Sequence, residues 1–349
     1  MSARIHFYPE LACIVQNKKI TKQGQRWPWK ESFPISAPAF RAHPFPGEKQ
    51  ANDNRQTART SFNLRRLRRM PIMKVIDFRF RPNTPEIING IKNSAMFKAA
   101  CKAIGFDARM AQPLPDIVAE LDRLGVELGV ITGRDCETTY GFPANNKSVL
   151  EFCRAYPQKF AGFWGIDPHK KMAAVREIEH AVNEHGMKGM AVDPYLAHIP
   201  ASEARFYPLY AKCCELDVPV FITMAPPPQV PGAVLEYADP RDVDKVARDF
   251  PELTLIMSHG GYPFVNEAIY TCLRNANVYM DISEYERSPQ ADLYVRAMND
   301  LIGDKILFAS AHPFVELADA LDAYAAFDLK TDIRENIMYA NARRVLRRA

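Results

Sequence analysis

Lys74-Val75-Ile76-Asp77-Phe78-Arg79-Phe80-Arg81-Pro82 begins the periodic part of this chain. It reads as a short apolar strand that stops at Pro82, because proline cannot donate to a strand ladder. Arg79 and Arg81 stand at the C-terminal end of that strand. A guanidinium has five donors, no free lone pair and a pKa above about 12. A pair of them recruits anions and repels cations.

Outward from this strand the pattern alternates between apolar runs and amphipathic stretches. Strands are expected at 74–79, 127–132, 160–166, 187–192, 218–224, 253–258, 278–282 and 305–310. Helices are expected between them, at 115–124, 146–156, 172–184, 203–216, 239–250, 262–274, 289–302 and 315–326, with a last one near 333–346. The apolar runs read as strands buried on both faces, as parallel strands are. Eight β/α units in about 275 residues predict an α/β protein, a single (β/α)8 TIM-type barrel with parallel strands over 73–349. A doubly wound open sheet is the alternative, but no glycine-rich turn follows the first strand to support it.

Residues 1–72 show no sustained period, and prolines 9, 28, 34, 38, 44, 46 and 71 interrupt them. They carry 14 Lys/Arg against 4 Asp/Glu, a net +10, which leaves −6 on the rest of a chain whose total is +4. Three readings are open for this extension: a disordered basic arm, an organelle transit peptide, or a mis-called gene start with translation beginning at Met70 or Met73. The acidic body lacks the basic footprint of a nucleic-acid binder. No apolar run reaches the length of a membrane span. Seven cysteines without a C-x-x-C pair, two of them the adjacent Cys213 and Cys214, fit a reducing cytoplasm.

In a barrel of this type chemistry collects at the C-terminal strand ends. Those ends read Arg79 and Arg81, Thr132-Gly133-Arg134, Trp164 to Asp167, Asp193-Pro194-Tyr195, Thr223-Met224, Ser258-His259-Gly260-Gly261, Asp281 to Glu284, and Ser310-Ala311-His312-Pro313. Taken singly, a polar residue past a strand is as well explained by a turn or a helix cap. Together they mix acids, bases, hydroxyls and cations beyond what packing requires.

The segment 73–349 resembles the amidohydrolase-related superfamily, in its branch of aminocarboxymuconate-type decarboxylases and lactone hydrolases. The likeness rests on Val75-Ile76-Asp77-x-Arg79-x-Arg81, Leu255 to Gly261, Val278 to Ser283, Ile306 to Pro313, and the closing Asn336-x-x-Tyr339-x-Asn341-Ala342-x-x-Val345-Leu346. The resemblance implies metal ligands at five places: two strand-1 histidines, one histidine each on strands 5 and 6, and a strand-8 aspartate. This chain puts Arg79, Arg81, Thr223, His259 and Ala311 there. One imidazole beside two cations does not make a zinc site, so neither metal nor other cofactor is expected.

Two readings fit the arginine pair. Internal carboxylates such as Asp77, Asp193 or Asp281 neutralise it, or it binds a substrate carboxylate and stabilises an oxyanion or enolate. His259 is the expected general base, kept neutral by an adjacent arginine. Asp281 and Asp193 follow as alternative bases or as orienters of its ring. Thr223, His312, Trp164 and Tyr195 complete the expected substrate contacts, although Trp164 and Tyr195 also fit barrel packing. Glu284 is an outer candidate. The leading expectation is a metal-independent, lactonase-like hydrolase of a small carboxylated or aromatic-derived metabolite. The alternatives are a metal-independent decarboxylase or isomerase of an aromatic-derived acid, and a non-catalytic carboxylate-binding barrel. The expected partner is that small molecule, and the oligomeric state is left open, a homo-oligomer included.

Overall fold

Apolar runs too short for helices make a parallel sheet here, and longer amphipathic stretches cover its outside. The computed structural model describes residues 73–226 and 230–347. The readings of 1–72 lie outside the described residues. The elements run β1 (Val75–Asp77), α1 (Pro85–Lys92), α2 (Lys98–Ala103), α3 (Leu114–Arg123), β2 (Val126–Thr132), α4 (Glu137–Tyr140), α5 (Asn146–Ala155) and β3 (Phe160–Gly165). They continue with α6 (Met172–Asn183), β4 (Gly189–Val192), α7 (Pro194–Ala197), α8 (Tyr207–Glu215), β5 (Val220–Thr223), α9 (Pro240–Asp249), β6 (Leu255–Ser258), α10 (Val265–Arg274) and β7 (Val278–Met280). The last are α11 (Ala291–Ala297), α12 (Leu317–Ala326), α13 (Thr331–Glu335) and α14 (Asn341–Val345).

The seven strands pair in parallel in their sequence order, β1 to β7. Side chains on one face fill the interior of this curled sheet, among them Phe78, Leu128, Phe163, Phe221, Ile256 and Leu307. Phe78 meets Phe163 edge to face at 5.8 Å and lies stacked 6.5 Å from Phe221. Gly189, opposite Phe163 in the ladder, leaves room for that ring: a Cβ there would sit 2.3 Å from it. The other face, including Ile131, Val192, Ile222 and Met257, packs against the helices. Helix α9 shows why such stretches are helical. Asp239 caps the Arg241 amide at 2.9 Å, Pro240 takes the first turn, and Val243, Val246 and Ala247 are buried.

The structure corrects two expectations. First, 305–310 is not an eighth strand: it holds one isolated bridge, Met280 to Ile306. It still lies between β7 and β1, with Leu307 N donating to Met280 O at 2.9 Å and Phe78 N donating to Phe308 O at 2.8 Å. The ladder breaks because its groups are claimed elsewhere. Asn341 Nδ2 donates to the carbonyls of Gly303 (2.9 Å) and Ile306 (2.7 Å), and Phe308 N donates to Ile337 O at 3.0 Å. Second, the link from β1 to α3 is not a plain loop. It contains α1, α2 and a 3-10 turn at Phe106–Ala108. Its base is tied where Gln112 N donates to Asn83 O and Asn83 Nδ2 donates to Met110 O, both at 3.0 Å.

Asn341 is fully buried, so Asn341→Ala strands two carbonyls without donors. It is expected to lower unfolding free energy by about 2–4 kcal/mol in urea titration followed by circular dichroism. A variant as stable as the parent would show that the closing segment does not depend on this amide.

Candidate active site

Asp77 ends β1 fully buried, and its carboxylate serves backbone and hydroxyl donors rather than an arginine side chain. It accepts from Arg79 N (3.0 Å), Ser310 N (2.9 Å) and Ser310 Oγ. These bonds lock the closing segment to the first strand. Burial pushes its pKa up to about 6 against the lowering effect of the Ser310 bonds.

Past Asp77 the chain bends at Phe78 and Arg79, and Arg79 and Arg81 both line one cavity. Arg79 crosses the interior: Nη1 donates to Ser258 Oγ at 3.0 Å, and the guanidinium lies 5.2 Å from the centre of the Phe221 ring. Arg81 donates its backbone amide to His312 O at 3.0 Å. Its guanidinium, on a residue only 8% exposed, makes no hydrogen bond among the described residues. Burial, then Arg134 and Arg79, press the Arg81 pKa down to about 9, so its charge persists at neutral pH. Neither Arg79 nor Arg81 has a carboxylate within 4.0 Å among the described residues. Internal neutralisation by Asp77, Asp193 or Asp281 is therefore not what this structure shows.

Asp193 is taken by a third arginine. Arg134, past the end of β2, bonds it with both prongs at 3.0 Å and lies 5.3 Å from the Phe97 ring centre. Burial alone would raise the Asp193 pKa, but Arg134 outweighs it and the carboxylate is held below its usual range, with Thr223 contributing. It is an ionised anchor for Arg134, poorly suited to accept a proton. Arg134 was not among the expected site residues. Its one cue was its place in Thr132-Gly133-Arg134 at a strand end.

His259 follows β6 at φ 65°, in a turn with Gly260 at φ 64°. Its Nδ1 lies 2.9 Å from the Ser283 carbonyl and 3.1 Å from Ser283 Oγ. A carbonyl only accepts, so the proton sits on Nδ1 and Nε2 keeps its lone pair. Nε2 has no protein partner, yet is not among the buried unsatisfied atoms, so it opens onto the cavity that His259 lines. Burial first, then Arg79, hold its pKa well below the ordinary value. Asp281 does not touch the ring. Its Oδ1 accepts from Ser283 Oγ (2.6 Å), Ser283 N (3.0 Å) and His259 N (3.3 Å), so it orients the turn and the serine that carry the imidazole.

The cavity also receives Tyr195, whose phenol pKa burial pushes up, and Glu284 at its rim. Phe97, Ala100 and Ile104 from α2 and its neighbourhood, with Phe314, form its apolar side. That excursion was invisible as part of the site in the sequence. Two expected contacts lie elsewhere. Trp164 points outward, its indole donating to Glu177 at 2.7 Å. His312 stacks on Phe80 at 5.0 Å and does not line the cavity, and burial drives its pKa down to about 3. Thr223 is buried beside Asp193.

The metal that the resemblance implies does not fit these side chains. Its positions hold two guanidiniums, a hydroxyl, one imidazole and the methyl of Ala311, and no group of three or more His, Cys, Asp or Glu is placed to hold an ion among the described residues.

A model of the family described as Amidohydrolase matches residues 73–348. A 2-keto-4-carboxy-3-hexenedioate hydratase from a Sphingobium strain is 27% identical over 250 residues, 59% of this chain and 71% of the hydratase. An uncharacterised TIM-barrel protein from Bordetella bronchiseptica superposes with a TM-score of 0.66 at 26% identity, covering 79% of this chain and 99% of that one. A dihydroxybenzoic acid decarboxylase from Polaromonas, solved with manganese and the inhibitor 2-nitroresorcinol, gives a TM-score of 0.57 at 19% identity over 79% of this chain and 97% of that one. At that identity the likeness speaks for the fold.

The neutral His259 has a stability consequence. Below about pH 6.5 the unfolded chain takes up a proton that the folded site refuses, so this contribution is present at neutral pH and lost as pH falls. His259→Asn should flatten that part of the profile, measured as melting temperature from about pH 8 down to 5. Parallel profiles for variant and parent would show that the ring ionises freely in the fold.

Proposed function

Because this chain belongs to the amidohydrolase family, whose model spans residues 73–348, we propose that it is a metal-independent enzyme acting on a small carboxylated substrate. The reaction is a lyase-type one, the addition or loss of water next to an acidic carbon. The supporting observation is a pair of buried arginines without carboxylate partners beside a neutral histidine whose Nε2 faces the cavity. An unpaired buried cation is costly, and a ligand that brings a carboxylate removes the cost.

Arg81, which has no side-chain partner, anchors a substrate carboxylate. Arg79 lies close enough to depress His259 and takes the negative charge that builds at the reacting end. In hydration, water oxygen bonds to the substrate carbon, the displaced electron pair becomes an enolate facing Arg79, and His259 Nε2 accepts the water proton. The neighbouring carbon then takes up a proton, given back by the His259 imidazolium, so that the elements of one water are added and the ring is neutral again. The charge stabilisation that relatives draw from a divalent ion comes here from fixed guanidiniums. The relative named as a hydratase of a keto acid supports this reading. Lactone hydrolysis is the second reading, supported by the same open Nε2, which is as able to activate water against an ester carbonyl. Lack of a span helix among the described residues and a reducing cysteine pattern support a cytoplasmic setting.

Purified protein assayed against unsaturated keto acids, aromatic acids and lactones, with products identified, separates the readings. Net gain or loss of water supports the lyase, ring opening the lactonase, and carbon dioxide release a decarboxylase. Binding without any product leaves the non-catalytic barrel.

Arg79→Met and Arg81→Met are each expected to lower kcat/KM by about 2–4 kcal/mol while melting temperature changes little, since no internal acid loses its partner. His259→Asn should lower kcat by about two to four orders of magnitude, and a chelator should leave the activity unchanged. Stability lost with catalytic constants per folded molecule unchanged would remove the arginines from the mechanism.

A further inference from the structure

The charges around the cavity do not balance. Arg79, Arg81 and Arg134 all line it. Arg134 is cancelled by its two-pronged bond to Asp193, at 3.0 Å on each side. His259 and Tyr195 are neutral, because both are buried and Arg79 stands beside the imidazole. Glu284, the remaining acid of the lining, is exposed at the rim, and no bond within 4.0 Å joins it to either free guanidinium. Two positive charges are left over inside.

They also have different surroundings. Arg79 is tied to Ser258 and lies over Phe221, both of the sheet interior. The Arg81 guanidinium lines the same cavity without a hydrogen bond among the described residues. Resting on the reading that these arginines answer substrate charge, we propose that the cavity takes a dicarboxylate, one carboxylate on Arg81 and the other, beside the carbon where charge builds, on Arg79. Phe97, Ile104 and Phe314 offer an apolar wall for the carbon skeleton between the two ends. Two guanidiniums with different surroundings suit two separate planar carboxylates, which each accept a two-pronged bond, better than a single tetrahedral anion.

The test is calorimetric titration of the full chain, at one low ionic strength, with matched pairs: butyrate against succinate, valerate against glutarate, benzoate against isophthalate. Inorganic phosphate serves as the tetrahedral control. At least one dicarboxylate is expected to bind about tenfold or more tightly than its monocarboxylate, and more tightly than phosphate. Arg81→Gln and Arg79→Gln should each bring it to the monocarboxylate level. Because the comparison of acids is made on the unaltered protein, it decides even where a variant fails to fold. Monocarboxylates that bind as tightly as dicarboxylates, and lose affinity in the arginine variants, would overturn the dianion while leaving the arginines as anchors. Phosphate binding as tightly as the best dicarboxylate would overturn it likewise. Acids that do not bind, or bind equally to parent and variants, would remove both the dianion and the anchoring role.

Discussion

A guanidinium in a protein interior keeps its charge, and that charge has to be answered. Arg79 and Arg81 stand just beyond β1, where the fold concentrates its reactive side chains, and their presence sets the terms for everything near them. It disfavours a cation at the mouth. It helps to hold His259 neutral and so leaves a lone pair available. It also adds to the effect of Arg134, whose two-pronged bond keeps the buried Asp193 ionised.

Around that constraint the fold supplies fixed geometry. Asp77 joins the first strand to the closing segment, so the arginines rise from a tethered base. Asp281 acts through Ser283 and through the turn amides, and the Ser283 carbonyl selects the His259 tautomer. The imidazole is therefore held by backbone and a neutral hydroxyl, with no carboxylate bonded to its ring. Such a histidine gains less basicity than one backed by an aspartate.

The alternation of strands and helices was plain in the sequence because period and length both report it. So were Arg79, Arg81, His259 and Tyr195 as lining residues, since each stands at a strand end. Trp164 was misplaced for a physical reason. A parallel strand buried on both faces carries no in-or-out signal, and Phe163 and Trp164 look equally apolar although they face opposite layers. The eighth strand failed because its ladder groups pair with Asn341 and Ile337, more than 25 residues away, which no local pattern records. The α1–α2 excursion escaped as part of the site because its apolar residues pack with Cys136, Tyr195, Leu196 and Val230, which lie far along the chain. Arg134 escaped because its role depends on Asp193, 59 residues downstream.

The four departures from the ligand set, Arg79, Arg81, Thr223 and Ala311, also bear on the history open to this chain. Returning histidine at either arginine alone would set an imidazole beside the other guanidinium, with too few donors to hold an ion and one anchor fewer for an acid. Restoring the aspartate in place of Ala311 first would bury a new carboxylate close to Arg81, whose backbone bonds the next residue, His312, so that the guanidiniums rather than an ion would claim it. Each single step toward a metal enzyme thus passes through a protein that does neither job well. The charge reversal at the barrel mouth works as a ratchet: simple to deepen by further substitution, hard to undo one residue at a time.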